Sequence, residues 1–489
     1  MFFNSIDFAI FFPLVFILYW LVAKHITYRN IFILISSYVF YGWWDWRFLL
    51  LIVFSSIVDY SIGILMHSAV KPDKRRLLLI ISLCTNISLL LYFKYFNFFI
   101  ESFTEAYSLF GIEIEASTLN IILPVGISFY TFQTLSYTID IYRRKLKPTK
   151  NVLAFFSFVA FFPQLVAGPI ERASHLLPQF LVTHKFEYNK VKSGLLLILF
   201  GLFKKMVIAD RAAILVNQVF NNPSDHYGLE VIIASVMFAF QIYCDFSGYS
   251  DIAIGASRML GFDLMKNFDS PYFSKSITEF WRRWHISLST WFRDYVYIPL
   301  GGSKKGSIRM YINLFLVFLI SGLWHGAAAT FIIWGAFHGT LIVIEKFTSN
   351  LRIKIKQFLG LSKSNISYKL FYSLITFSLV TLGWIFFRAN NISEALHLIS
   401  SLSLDNYFII FTDDLYKLGL ERNEFIALIV AIIALCGFEI LHKRKNVVLI
   451  LNHQPIAFRW VAYLSLIMVV VVYGIYGDQD TSQFIYFQF

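Results

Sequence analysis

The chain has 489 residues, of which 57% are hydrophobic, 19% aromatic and 15% charged. Soluble domains carry about 25% charged residues, so this composition excludes a soluble globular protein and describes one built for a bilayer. The net charge of +12 does not point to nucleic acid, because Lys and Arg cluster in short loops between apolar runs, where bilayer orientation accounts for them.

Apolar runs long enough to cross a hydrocarbon core fall at 8–23, 31–46, 48–66, 77–100, 119–142, 194–213, 229–250, 308–325, 327–346, 370–388, 424–441 and 459–476. No basic stretch or small-residue cleavage site marks the N-terminus, so the first run is expected to be a retained helix. Lys24 and Arg29 follow the first run, Lys71, Lys74, Arg75 and Arg76 the third, and Arg143, Arg144, Lys145, Lys147 and Lys150 the fifth. The loop after the fourth holds Glu101, Glu105, Glu113 and Glu115 with no Lys or Arg. The positive-inside rule then places the N-terminus outside.

The alternation carries forward if 151–168 does not fully cross. Its FFPQLVAGP ending supports this, since a proline interrupts the helix and irregular backbone at membrane depth must be sheltered by protein. The segment is read as re-entrant or broken. The basic stretches 258–309, 346–369 and 442–459 then fall in the cytoplasm. The loop around Asp225 and Glu230, the acidic 390–424 loop and the tail with Asp478 and Asp480 fall outside. Lys204 and Lys205 lie inside the 194–213 run and must snorkel or face the interior. Asp59, Asp245 and Asp251 at membrane depth must pair or line a cavity; for the latter two an ion pair with Lys204, Lys205 or Arg258 is favoured over catalysis. Cys84, Cys244 and Cys436 are scattered without a CxxC pair and read as packing residues, with no disulfide framework and no metal site.

The stretch FWRRWHISLSTWFRDYVYIPLGG at 280–302 is not a plain span. Trp281, Trp284, His285, Leu288, Phe292 and Tyr295 recur at three- and four-residue steps, which predicts one aromatic face of a helix with Arg282 and Arg283 on its flank. Such a helix lies in the interface or dips into the protein; Pro299 and Gly301–Gly302 stop it. Arg282 and Arg283, with Lys304, Lys305 and Arg309, suit phosphate recognition and equally suit bilayer orientation alone. His325 stands in SGLWHGA at the end of an apolar run. A buried imidazole there faces a protein interior or cavity, either as a helix-packing residue bonded to a carbonyl or as a neutral base that takes a proton from an alcohol. His338, thirteen residues on, reads as structural or lining.

The wording of the motifs goes further. FFPQLVAGPIERA (161–173), GLFKKMVIADR (201–211), QIYCDFSGYSDIAIG (241–255), NFDSPYFSKSITEFWRRWHISLSTWFRDYVYIPLGG (267–302), SGLWHGA (321–327), WIFFRA (384–389) and FIYFQF (484–489) stand in order along the chain. Through them the chain resembles the membrane-bound O-acyltransferase family, in the bacterial branch that contains the integral membrane subunit of alginate O-acetylation. The resemblance implies an acyl-transfer enzyme whose essential histidine corresponds to His325. His285 matches a position that eukaryotic relatives often fill with Asn, which implies that it orients the acyl donor and takes no proton. Arg282, Arg283 and Trp284, inside the same motif, are the implied donor contacts.

The expected architecture is an all-α polytopic membrane protein, one domain of roughly 11–13 transmembrane helices in a ring around re-entrant segments with a central passage. Its parts are N-terminal helices at 1–150, a motif-bearing core at 151–346 and C-terminal helices at 347–489. The resemblance further implies acetyl-CoA as donor substrate with no permanently bound cofactor. It also implies a bacterial inner membrane, an extracytoplasmic acetyltransferase partner protein, and an exported alginate-like polysaccharide as final acceptor; the loop charges place both termini on the extracytoplasmic side. The rival readings are D-alanyl transfer to teichoic acids, a transporter of acyl groups or exopolysaccharide without catalysis, and a scaffold for a secretion complex. No internal repeat supports the transporter.

Overall fold

The computed structural model describes residues 1–108, 110–111, 118–119, 121–166, 168–358, 365–445, 447–476 and 484–485, and among these every regular element is a helix. Glu113, Glu115, Asp478, Asp480, Ala167 of FFPQLVAGP, part of the basic stretch 346–369 and the last four residues of FIYFQF lie outside the described residues. Among those described, eight helical stretches are long and apolar enough to cross a membrane: Ile26–Ser68, Pro72–Ser108, Leu229–Met259, Ser307–His325, Ala329–Phe347, Ile366–Arg388, Arg422–Lys445 and Ile456–Tyr473. The first, 43 residues long, is two helices, Ile26–Asp45 and Leu49–Ser68, joined at Trp46–Phe48. There the Asp45 carboxylate accepts from Arg47 N at 2.9 Å. The expected run at 119–142 is helical only over Ile127–Tyr142. Pro124 offers no N–H and Gly126 stands in the left-handed region at φ 76°, where a Cβ would lie 2.8 Å from the Leu165 carbonyl oxygen.

The chain divides into two compact units, Met1–Ile198 with Ile252–Met265, and Leu199–Asp251 with Lys266–Phe489. In the first, Leu49–Ser68, Pro72–Leu90 and Ile127–Tyr142 share a buried polar network. The Asp59 carboxylate accepts from Ser82 Oγ at 2.6 Å and Asn86 Nδ2 at 2.9 Å, and Ser82 Oγ also reaches Thr138 at 3.1 Å. Asp59 thus meets the pairing demand of its depth through hydroxyl and amide donors. Segment 151–168 is broken: Asn151 caps Val152–Ala160 by accepting from Ala154 N at 3.0 Å, and a separate turn, Phe162–Leu165, carries Pro163. Glu171 in GPIERA is fully buried and accepts from Met265 N at 2.5 Å and from His175 Nδ1 at 2.7 Å.

In the second unit Phe203–Ala209 is π-helical and leads into Asp210–Phe220. Each π-turn shifts the hydrogen-bond ladder by one residue and frees backbone groups; the Met206 carbonyl accepts from Ile475 N at 3.1 Å. Ser307–His325 and Ala329–Phe347 form a hairpin. They cross where Gly322 faces Gly335, and a Cβ on either would overlap the carbonyl oxygen of Phe331 or Phe318. That closeness holds the end of the first helix, and with it His325, against the second.

Candidate active site

The single helix expected through 280–302 is instead broken into two seven-residue helices, Ile277–Arg283 and Ile286–Phe292, the second continuing as a π-helix over Arg293–Tyr297. Ser276 caps the first, accepting from Glu279 N at 3.1 Å. At the break Trp284 is extended and His285 is left-handed, at φ 43° and ψ 56°. A non-glycine residue in that region costs on the order of 1–3 kcal/mol, and Asn267 accounts for it. Its backbone carbonyl accepts from Ile286 N at 2.9 Å. Its side-chain oxygen accepts from His285 Nδ1 at 3.1 Å and Ser287 Oγ at 2.9 Å, while its Nδ2 donates to Ser250 Oγ at 3.1 Å. One asparagine therefore caps the second helix and turns the histidine inward.

An amide oxygen only accepts, so His285 Nδ1 carries the hydrogen and Nε2 the lone pair. Burial pushes this imidazole down to about 3, which keeps it neutral. Asn267 was missed by sequence reasoning although it opens the NFDSPYF motif; its partner lies 18 residues away, beyond the reach of local periodicity.

His325 ends Ser307–His325, and Gly326 breaks the helix with extended backbone. Its ring is packed by Trp324 at 4.8 Å, Trp334 at 5.0 Å and Phe387 of WIFFRA at 5.4 Å between centroids, and the residue is 3% exposed. Trp324 also stands 6.1 Å from the His285 ring. The structure thus brings both sequence-predicted histidines to one indole.

The three expected donor contacts part company. Arg282 is exposed and lines a pocket of ≈ 380 Å³ with Arg293 and Lys346, against an apolar wall that includes Leu314, Phe318 and Ile342. Arg283 forms an ion pair with Glu279, and Trp284 is buried among Phe280, Phe268 and Trp384. Neither lines the pocket.

The charges of the FKK and CDFSGYSD motifs pair with one another. Lys204 meets Asp251, and Lys205 lies 2.8 Å from Asp210 and 2.7 Å from Asp245. Both lysines are buried, so they face the interior and do not snorkel. Asp245 also accepts from Ile485 N at 2.7 Å. The neighbouring Phe484 packs 4.5 Å from Tyr249 and 5.7 Å from Phe246, whose ring is 4.7 Å from His285. The first two residues of the terminal motif are thereby tied to the surroundings of His285.

With eight apolar helical stretches long enough to cross a membrane among the described residues, the chain is a multi-pass membrane protein. Residues 143–382 match the model of MBOAT, the membrane-bound O-acyltransferase family. The chain is 37% identical to the probable alginate O-acetylase AlgI of Pseudomonas putida over 99% of each chain. It is 36% identical to the peptidoglycan O-acetyltransferase of Helicobacter pylori over 78% of this chain and 75% of that one. It is 30% identical to the teichoic acid D-alanyltransferase of Bacillus subtilis over 55% of this chain and 69% of that one. The chain belongs to the membrane-bound O-acyltransferase family, in its alginate O-acetylase-like branch, and is a multi-pass membrane O-acyltransferase.

Proposed function

We propose that this acyltransferase takes an acetyl group from cytoplasmic acetyl-CoA and delivers it across a bacterial inner membrane for O-acetylation of an exported, alginate-like polysaccharide. The observation that carries the reading is His325, buried in an aromatic enclosure whose Trp324 also stands 6.1 Å from the His285 ring. In that dry setting His325 accepts the proton of the acceptor hydroxyl as its oxygen attacks the acyl carbonyl. The new C–O bond forms, the C–S bond breaks, and the departing thiolate takes the proton back from the imidazolium. His285, held by Asn267, orients the donor. Arg282 on the pocket meets the donor's phosphates, with Arg283 and Trp284 holding the frame from which it projects. Segment 151–168 is re-entrant, both chain ends face outward, and an extracytoplasmic acetyltransferase partner receives the acyl group.

The names of the relatives covering most of this chain support acetyl transfer to a sugar polymer, whereas the D-alanyltransferase likeness spans little more than half of it. The test is the O-acetyl content of cell polysaccharide in cells carrying His325→Ala, with protein level and membrane insertion checked. Acetylation should fall by about 10²–10⁴-fold, the usual worth of general-base help. Undiminished acetylation at normal protein level rejects the catalytic role.

A further inference from the structure

Trp281 lines the same pocket as Arg282. In and around that indole are buried polar atoms for which the described residues supply no hydrogen-bond partner: Nε1 of Trp281, Trp334 and Trp384, and both ring nitrogens of His338. His338 is fully buried. The rings are in mutual contact, with Trp281 5.1 Å from His338 and 5.5 Å from Trp334, and Trp334 5.1 Å from His338 and 5.9 Å from Trp384. Trp334 is the ring that also touches His325, at 5.0 Å. A run of ring contacts through Trp281 and Trp334 therefore leads from the pocket wall to the catalytic histidine.

Trp334, His338, Ile342 and Lys346 follow one another at four-residue steps along Ala329–Phe347, so they share one helix face. The last two line the pocket and the first meets His325. Gly383 faces the middle of this stripe, where a Cβ would lie 2.7 Å from His338 Nε2. Buried polar atoms without partners are rare in native proteins, and each calls for an explanation. Three of these groups are N–H donors, and an imidazole both donates and accepts. The ring contacts around them carry no charge. What completes them is a neutral chain bearing carbonyl oxygens and an N–H, as amides do, and the cationic rim of the adjoining pocket suits an anionic group at that chain's other end. Ordered water would satisfy the same atoms without such a chain.

Resting on the acyl-thioester reading above, we propose that Trp281 is a door between the pocket and His325, and that His338 behind it hydrogen-bonds the neutral, amide-bearing arm of the donor. When the indole swings aside, the arm replaces it against His338, and the thioester at its end comes up to Trp334 and His325.

The test uses the full-length protein in lipid nanodiscs, with free pantetheine as the binding probe followed by titration calorimetry and tryptophan fluorescence. Two thioesters serve as substrates, acetyl-CoA and the amide-free S-ethyl thioacetate. His338→Phe keeps the ring and removes its nitrogens. It should weaken pantetheine binding about 10- to 100-fold, the usual reach of a lost buried hydrogen bond, and lower kcat/KM for acetyl-CoA by a similar factor. Its activity on S-ethyl thioacetate should stay at the wild-type level, and His338→Gln should recover part of the loss. Trp281→Ala should speed pantetheine association with affinity kept.

Equal loss on both thioesters in folded His338→Phe, or unchanged pantetheine binding, overturns the proposal and leaves the ring to packing or to water. Wild-type protein that binds pantetheine through His338 yet turns over neither thioester upholds the amide site and rejects the donor reading. Wild-type protein that neither binds pantetheine nor turns over a thioester rejects both.

Discussion

The two histidines near Trp324 differ in what their side chains can be replaced by. His285 uses Nδ1 as a donor to Asn267 at 3.1 Å, a task that an amide NH2 performs as well. We therefore expect His285→Asn to retain acyl transfer within about tenfold, whereas His325→Asn, which removes a proton acceptor, should lose about 10²–10⁴-fold. Polysaccharide O-acetyl content in the two strains checks this, and equal losses would refute the division of labour. The same burial has a consequence for stability. An unfolded histidine titrates near 6.5, while His285 in the fold is held down to about 3. Between those values the unfolded chain binds a proton that the folded one refuses, so stability falls as pH drops through that window. Thermal midpoints from pH 7 to pH 4 should fall more steeply for the wild type than for His285→Asn; parallel curves would show that this ring carries none of the slope. At this scale the motifs single out both histidines as candidates but do not show how they are held. Nothing in local spacing pairs His285 with Asn267, or shows that Arg282 reaches a pocket while Arg283 beside it is spent on Glu279.

Among the elements, two depend on features that hydropathy does not register. The Ser307–His325 and Ala329–Phe347 hairpin closes over Gly322 and Gly335, where an added Cβ meets backbone carbonyl oxygen. Backbone yields less readily than a side chain, so Gly335→Ala should push the helices apart and displace His325; acetyl transfer should drop well before the protein ceases to insert, as O-acetyl content against membrane protein level will show. The π-helical Phe203–Ala209 places Lys205 between Asp210 and Asp245. Removing one partner from a buried ion group strands the others, at a cost of about 3–5 kcal/mol. Lys205→Met should lower thermal stability by that order, and Lys205→Met with Asp210→Asn and Asp245→Asn should recover much of it. No recovery in the triple variant would mean that these acids are needed for more than mutual charge balance. Of the apolar runs, most were legible because a span imposes its length on composition. The failures lie where one residue breaks the period: Gly126 delays a helix start, and His285 divides what the aromatic spacing presented as continuous.

At the level of the whole chain, orientation follows from charge. Carrying Lys or Arg through the middle of a bilayer costs roughly 2.5–3.5 kcal/mol per residue on insertion scales, and short basic loops stay inside. Lys304, Lys305 and Arg309 lie at or just before the start of Ser307–His325, whereas Asp225 and Asp405 belong to acidic loops on the expected opposite side. All of these but Arg309 are well removed from any span interior, and Lys304, Asp225 and Asp405 are exposed, so each is open to a reagent in the compartment that it faces. With Cys84, Cys244 and Cys436 replaced by Ala, single cysteines at these three positions report the topology. A membrane-impermeant maleimide should label Asp225→Cys and Asp405→Cys in cells with a permeable outer layer and an intact inner membrane, and Lys304→Cys only after that membrane is opened. The reading of the site depends on this result, because Arg282 and Lys346 share their pocket with Ser303, next in the chain to Lys304. Labelling of Lys304→Cys in intact cells would turn that pocket outward, away from any cytoplasmic donor, and the direction of acyl transfer would have to be reversed.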